Sequence, residues 1–282
     1  MILDTIGYTV PATLEEALTL LREQPDSVAI AGGNGLITQL KRGEATAATL
    51  VDLRRLDELR TLAAVGDGRL RIGALTTLSA LLADPILRAA HVPGVLADAV
   101  SAIGDVQLRN RATIGGTLAS AERGSDLSAA LLALNASMTV AGHSGRRTLP
   151  VEDFLAGGSP LQRGELIVSV DVAPAEQGSA YEKFTDRANL QAICGVAVSV
   201  SLSAAGPVRR CRVAVSGAMP FPRRLPEVED AVVGAALPAV VPPLDPDLFI
   251  TTANASAQYL SALTRELAER AIRTAVLRAQ RL

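Results

Sequence analysis

The chain has 282 residues, 49% of them hydrophobic, enough for one large domain or two ordinary ones around well-filled cores. A formal net charge of −2 gives no footing for a nucleic-acid or anionic-membrane partner, and no run of about 18 uninterrupted apolar residues appears to suggest direct membrane insertion. The N-terminus carries no basic segment followed by an apolar block, so no secretory signal is expected and the chain reads as cytoplasmic.

Taken in order, "LEEALTLLREQ" has apolar residues at helical spacing behind a Pro-Ala-Thr start, which predicts a capped helix. "SVAIAGGNGLITQLKRG" predicts a strand, a tight glycine turn and a helix ended by Gly43. "TLVDLRRL" reads as a second strand. "GDGRLRIGALTTLSALLADP" reads as a hairpin turn, a strand, a Thr-capped helix and a Pro stop. "PGVLADAVSAIG" predicts a helix closed by Gly104, and "DLSAALLALNA" a helix with Asp126 at its start. Between these two lies "RNRATIGGTLASAERG", which is too poor in side chains to pack and reads as a loop. "SMTVAGHSGRRTLPVEDFL" gives a hairpin on a Ser-Gly turn, and "GELIVSVDV" a further strand.

The texture changes around "APAEQGSA", where we place a boundary near residue 175: residues 1–175 form one domain and 176–282 another. The second holds two or three antiparallel strands joined by a Gly-Pro turn, then the helical patterns "LPEVEDAVVGA" and "NASAQYLSALTRELAERAIRTAVLRAQ". No repeat of fixed period excludes a solenoid. Strands and helices mix without a steady alternation, which favours an α+β fold over a doubly wound sheet.

Several chemistries are excluded by residue type. The two cysteines, Cys194 and Cys211, cannot hold a four-thiolate iron–sulfur centre, and Cys194 sits in an apolar run that suits a buried thiol. His91 and His143 lie far apart, beside no acid or thiol cluster, so no metal site is expected; no G-x-S-x-G elbow is present either. Two glycine segments remain. In "AIAGGNGLITQLK" a strand delivers glycines to a helix start, the arrangement that binds anions through exposed N–H groups and the helix dipole. The dinucleotide fingerprint fails there, because Gly33 and Gly35 fit but the third position is Thr38. In the second segment Thr113 offers a hydroxyl, Gly115 and Gly116 offer two bare N–H groups in succession, and Asp126 can accept from hydroxyls or cap its own helix. A plain turn stays open for each loop alone. Two such loops in one domain point to a diphosphate held between them.

Together, "AGGNGLITQLK", "LRIGALTTLSAL", "IGDVQLRNRATIGGTLASAERGSDL", "GELIVSV" and "YEKFTDRANLQAICGVAVSV" resemble, in order and spacing, the FAD-binding (medium) subunits of the molybdenum hydroxylases, the xanthine dehydrogenase and carbon monoxide dehydrogenase type enzymes. The resemblance runs end to end. It implies an α+β fold of two flavin-binding subdomains of the vanillyl-alcohol-oxidase (PCMH) type, followed by a C-terminal α+β domain of the CO dehydrogenase flavoprotein type. It implies non-covalent FAD here, with molybdopterin and iron–sulfur clusters only on partner chains, a molybdenum-binding large subunit and an iron–sulfur small subunit. A dimer of such heterotrimers is an assembly it allows.

By position, the resemblance places Ala29, Ile30, Ala31, Gly32, Gly33, Asn34, Gly35 and Leu36 around the diphosphate and adenosine side, and Thr113, Ile114, Gly115, Gly116 and Thr117 in the second diphosphate loop. It makes Asp126 a hydrogen-bond partner of the cofactor, and Ile103 with Leu166 or Ile167 its apolar contacts. Lys183, which with Lys41 makes up the chain's two lysines, falls where the family keeps a lysine near the flavin, as a cation that would stabilise the reduced ring. No side chain is required as an acid or base. The chain departs from the pattern at Gly35, where relatives carry Ser or Asp, and at Leu190 and Gln191, where relatives place an acid and an aromatic residue. Asn34 stands where covalent flavoproteins of the wider fold carry histidine. A stand-alone flavin oxidoreductase and an accessory protein that has lost its flavin are the alternatives.

Overall fold

The computed structural model describes residues 5–66, 68–88, 94–157, 161–173, 178–185, 190–204, 206–235 and 240–281. The boundary expected near residue 175 and His91 lie outside them.

The N-terminal part alternates strand and helix: β1 (Gly7–Thr9), α1 (Leu14–Glu23), β2 (Ser27–Ile30), α2 (Asn34–Arg42) and β3 (Thr49–Asp52). The three strands pair in parallel in the order β1-β3-β2. Helix α1 forms because its apolar positions fall on one face; Thr13 caps it through Oγ1, 3.2 Å from the Glu16 amide, and Glu15 and Glu16 sit in the positive first turn. Leu14, Ala17 and Leu21 on that face are buried.

A second unit is built on a five-stranded sheet, in the order β4-β5-β8-β6-β7. Its members are β4 (Leu62–Ala64), β5 (Leu70–Gly73), the helices α3 (Leu78–Ala83), α4 (Gly94–Ser101), α5 (Val106–Arg111), α6 (Ile114–Ala119) and α7 (Asp126–Ala133), then β6 (Ser137–Gly142), β7 (Gly145–Pro150), α8 (Val151–Ala156) and β8 (Leu166–Val172). The central strand β8 is buried at every residue. Its one acid, Asp171, is satisfied by a two-pronged bond from the Arg71 guanidinium at 2.7 and 2.8 Å. Helix α7 is likewise buried all round, which is why "DLSAALLA" shows no polar face. It packs between this sheet's helices and the sheet that follows.

That third sheet is antiparallel, in the order β12-β11-β10-β9, formed by β9 (Gly178–Thr185), β10 (Ala192–Leu202), β11 (Val208–Ser216) and β12 (Arg223–Arg224). Helices α9 (Pro226–Val232) and α10 (Ala257–Ala279) complete the unit. Alternation along β10 and β11 sends one row of side chains toward α10 and the other toward α4 and α7. Leu260, Leu267 and Ile272 of α10 are among those buried, and each such side chain contributes about 1.5–3 kcal/mol. Arg278 of α10 bolts the units together, reaching Asp98 of α4 at 2.5 Å and the Ser179 carbonyl of β9 at 2.7 Å. The α+β class is as expected. The N-terminal βαβ alternation was hidden by β1, whose three residues are too few to show a period. Among the described residues no helix is long and apolar enough to cross a membrane.

Candidate functional site

A cavity of about 800 Å³ opens where the first unit meets the second. One wall is the turn from β2 into α2. Gly33 is the cap residue of α2, with φ 81°, a backbone that suits glycine, and it offers no side-chain cap. The first bond inside the helix runs from the Ile37 amide to the Gly33 carbonyl at 3.0 Å. The amides of Asn34, Gly35 and Leu36 therefore have no preceding turn to satisfy them, and the helix dipole adds positive potential where they point.

The opposite wall differs from the expected loop. Residues 114–119 form the short helix α6, and Thr113 is its cap: Thr113 Oγ1 accepts from the Gly116 amide at 3.2 Å. The Gly115 amide donates to the Ala74 carbonyl at 2.9 Å, and the Ile114 amide to the Thr76 carbonyl at 3.1 Å. The two bare N–H groups anticipated at Gly115 and Gly116 are thus both engaged. Missing side chains serve packing here: a Cβ on Gly115 would lie 2.6 Å from the Ala74 Cβ and 2.9 Å from the Ala74 carbonyl oxygen. Ala74 carried no signal of its own in the sequence. A Cβ on Gly116, by contrast, would stand 3.8 Å from the Ala31 Cβ on the other wall, so at this point the two walls nearly meet. They are joined beside it, where a Cβ on Gly32 would fall 2.0 Å from the Arg111 carbonyl oxygen, while Arg111 Nε donates to the Gly32 carbonyl at 3.3 Å.

Residues 29–36, Ile103, Thr113, Gly115, Gly116, Thr117, Asp126, Leu166 and Ile167 all line this cavity. Ile114 does not. It is fully buried in the core of the second unit, because the first turn of α6 points it inward. Ser125, not Asp126, caps α7, its Oγ accepting from the Ser128 amide at 3.2 Å. Asp126 is freed for another role. Its Oδ2 pairs with Lys183 Nζ at 2.8 Å, and its Oδ1 accepts a short hydrogen bond from the Tyr181 hydroxyl. Burial pushes the Asp126 carboxyl above its ordinary range, opposed by the Lys183 ammonium; burial and then the neighbouring carboxylate push the Tyr181 phenol well up.

Lys183 is not among the cavity-lining residues. Its ammonium donates to Asp126, to the Ala102 carbonyl at 2.9 Å and to the Leu190 carbonyl at 2.8 Å. Three donors are all an ammonium has, and its charge is balanced by Asp126. The resemblance places Lys183 near the flavin as a cation; here that cation is paired with Asp126, which does line the cavity. At Gly35 the departure has a counterpart across the cavity: Glu122 Oε1 lies 3.5 Å from where a Cβ would be. Glu122 comes from the second segment, and no spacing rule could have paired it with Gly35.

Residues 4–175 match the FAD binding domain in molybdopterin dehydrogenase, and residues 179–275 match the CO dehydrogenase flavoprotein C-terminal domain. The 6-hydroxypseudooxynicotine dehydrogenase complex subunit alpha of Paenarthrobacter nicotinovorans is 34% identical over 290 residues, covering 98% of this chain and 96% of that one. The carbon monoxide dehydrogenase medium chain of Hydrogenophaga pseudoflava is 31% identical, covering 98% of both. A chain of the crystallised Cu,Mo-CO dehydrogenase superposes with a TM-score of 0.90 at 27% identity, over 99% of this chain and 100% of that one. The chain belongs to the family of FAD-binding medium subunits of the molybdenum hydroxylases.

Proposed function

We propose that this chain holds FAD non-covalently in the cleft between α2 and α6 and is the electron outlet of a molybdenum hydroxylase. The observation that carries the site is the uncapped N-terminus of α2 facing the Gly116 side of α6 across the cavity. The donor set fits a flavin dinucleotide. Amides and a helix dipole suit the diphosphate, Asp126 suits a hydroxyl, and the lining side chains Ile103, Leu166 and Ile167 suit apolar ring surfaces. Asn34 stands at the head of α2 with its amide nitrogen 3.4 Å from the Leu108 carbonyl; an amide is no nucleophile for covalent attachment.

When bound, the flavin accepts electrons from iron–sulfur clusters on a partner and passes them to an acceptor such as NAD, a quinone or another carrier. The chain's own residues position and shield it, and none is required to move a proton. The chain has two cysteines, both buried, too few for a four-thiolate cluster. The clusters therefore belong to other chains. Relatives named as medium chain and complex subunit support a multi-chain assembly; we place a molybdenum-binding large subunit and an iron–sulfur small subunit in it, assign it to the cytoplasm, and favour a dimer of heterotrimers as the higher assembly.

The test is reduction of the bound flavin by the holoenzyme's substrate. We expect reduction only when both partner chains are present, and restored acceptor reduction when the FAD-loaded chain is added back to the partners. An isolated chain whose flavin is reduced by a small organic substrate would refute the subunit reading.

A further inference from the structure

Leu190 combines three features that no cofactor contact yet accounts for. Its φ is 58°, in the left-handed region, where a residue lacking a short polar side chain has nothing of its own to hold it. The residue is 45% exposed although large and apolar. It also lines the cavity, as do Ile103 and Leu108. The backbone around it is irregular: the pairing of β10 with β9 slips between Ala192 and Cys194. An unfavourable backbone persists only where its surroundings impose it.

The surroundings here are Lys183. Its side chain is 7% exposed and that of its partner Asp126 5%, so the pair is fixed inside the protein rather than sampling solvent. From that anchored position Nζ reaches the Leu190 carbonyl on one side and the Ala102 carbonyl, next to cavity-lining Ile103, on the other. One buried cation thus ties together two stretches of backbone that border the cavity.

We infer that Lys183 is a positioning residue acting through Leu190: its neutralised ammonium holds the Leu190 carbonyl, fixing the left-handed backbone that sets the Leu190 side chain as an aliphatic wall over the bound flavin. The inference rests on the reading of this cavity as the FAD site. It differs from a direct electrostatic role for Lys183, because a charge-neutral pair with no donor to spare exerts little field on the ring and acts by shape.

The experiment compares FAD-loaded protein carrying Leu190→Gly, Leu190→Asn and the paired Lys183→Met/Asp126→Asn substitutions, the last removing both charges so that no buried carboxylate is stranded. Two quantities are read: quenching of flavin emission by acrylamide, a neutral probe of solvent access, and the flavin's reduction potential. Removing one wall of a site that encloses most of its ligand should raise the quenching constant by about two-fold or more in all three variants. Asn tolerates the left-handed backbone, so Leu190→Asn isolates the lost apolar side chain from the lost conformation. Adding Leu190→Gly to the paired variant should produce no further rise, since both act through one segment. A potential that moves in the paired variant while quenching stays at the wild-type value would overturn the inference in favour of a direct charge effect. Independent, additive rises would overturn it too. Wild-type protein that takes up no FAD would sink the reading of the cavity, whereas flavin-loaded variants with wild-type quenching would sink the positioning role alone.

Discussion

Gly32→Ala is the sharpest perturbation of the cleft. The added methyl would lie 2.0 Å from the Arg111 carbonyl oxygen and 2.8 Å from the Arg111 carbonyl carbon, about 1.4 Å short of ordinary contact with the oxygen. Both neighbours are backbone, so no side chain can swing aside. Either the turn before α2 or the end of α5 must move by more than about 1 Å, and overpacking of this kind typically costs about 1–3 kcal/mol. Because Gly32 and Arg111 join the two walls, that movement widens the space in which a diphosphate would be gripped. If the cost falls on binding it weakens FAD by roughly 5- to 150-fold, since about 1.4 kcal/mol is one decade. Titration of the flavin-free protein with FAD, followed by flavin emission, measures it, with thermal unfolding of the same sample recording any share that falls on stability. Gly66→Ala is the control, since a Cβ there meets nothing within 4 Å. Gly32→Ala protein with wild-type affinity and wild-type unfolding temperature would refute the account of how the walls are joined.

Gly115→Ala should lower the stability of the flavin-free protein by about 1–3 kcal/mol, measured by urea unfolding, because its methyl meets Ala74 rather than a ligand; loss of FAD binding with unchanged stability would return Gly115 to the cradle. Glu165 is held below the ordinary carboxylate value of 4.5, chiefly by its hydrogen bonds from Arg147, at 3.0 and 2.8 Å. A lowered folded-state value means the stabilisation is full above pH 4.5 and is lost as pH falls through the lowered value. Glu165→Gln should therefore cost about 1 kcal/mol at neutral pH, a figure kept small by the solvent around Arg147, and progressively less in acid. A gap between variant and wild type that widens on acidification would contradict this. Cys194 and Cys211 should resist thiol reagents in the native protein and react only after unfolding, since both are buried and burial pushes their pKa up to about 12; a thiol reacting before unfolding would contradict their burial.

Much of the fold was legible because local signals agreed. The apolar face and Thr13 cap of α1, the Gly43 stop of α2 and the Thr77 cap of α3 each mark a boundary that the chain uses. The second glycine segment was misread for a physical reason. Small residues are poor packing units alone, but with a Thr cap and a strand pressed against them they form α6, a tertiary fact that spacing does not carry. Ile114 points into the core and Ser125 takes the cap expected of Asp126 for related reasons: adjacent residues compete for one cap position, and only the packed structure decides between them. The pairing of Lys183 with Asp126 spans 57 residues, and Lys183 with the Ala102 carbonyl 81. Recognising Lys183 by its place in the family was easier than foreseeing that its three donors would all be spent.

The proposed site binds FAD reversibly, one per chain, through backbone amides and without a covalent bond. Titrating the purified flavin-free chain with FAD, then precipitating the complex in acid, tests it most directly. Saturation at one flavin per chain and complete release of that flavin into the supernatant are expected. A chain that takes up no FAD, or flavin that stays with the precipitated protein, would contradict it.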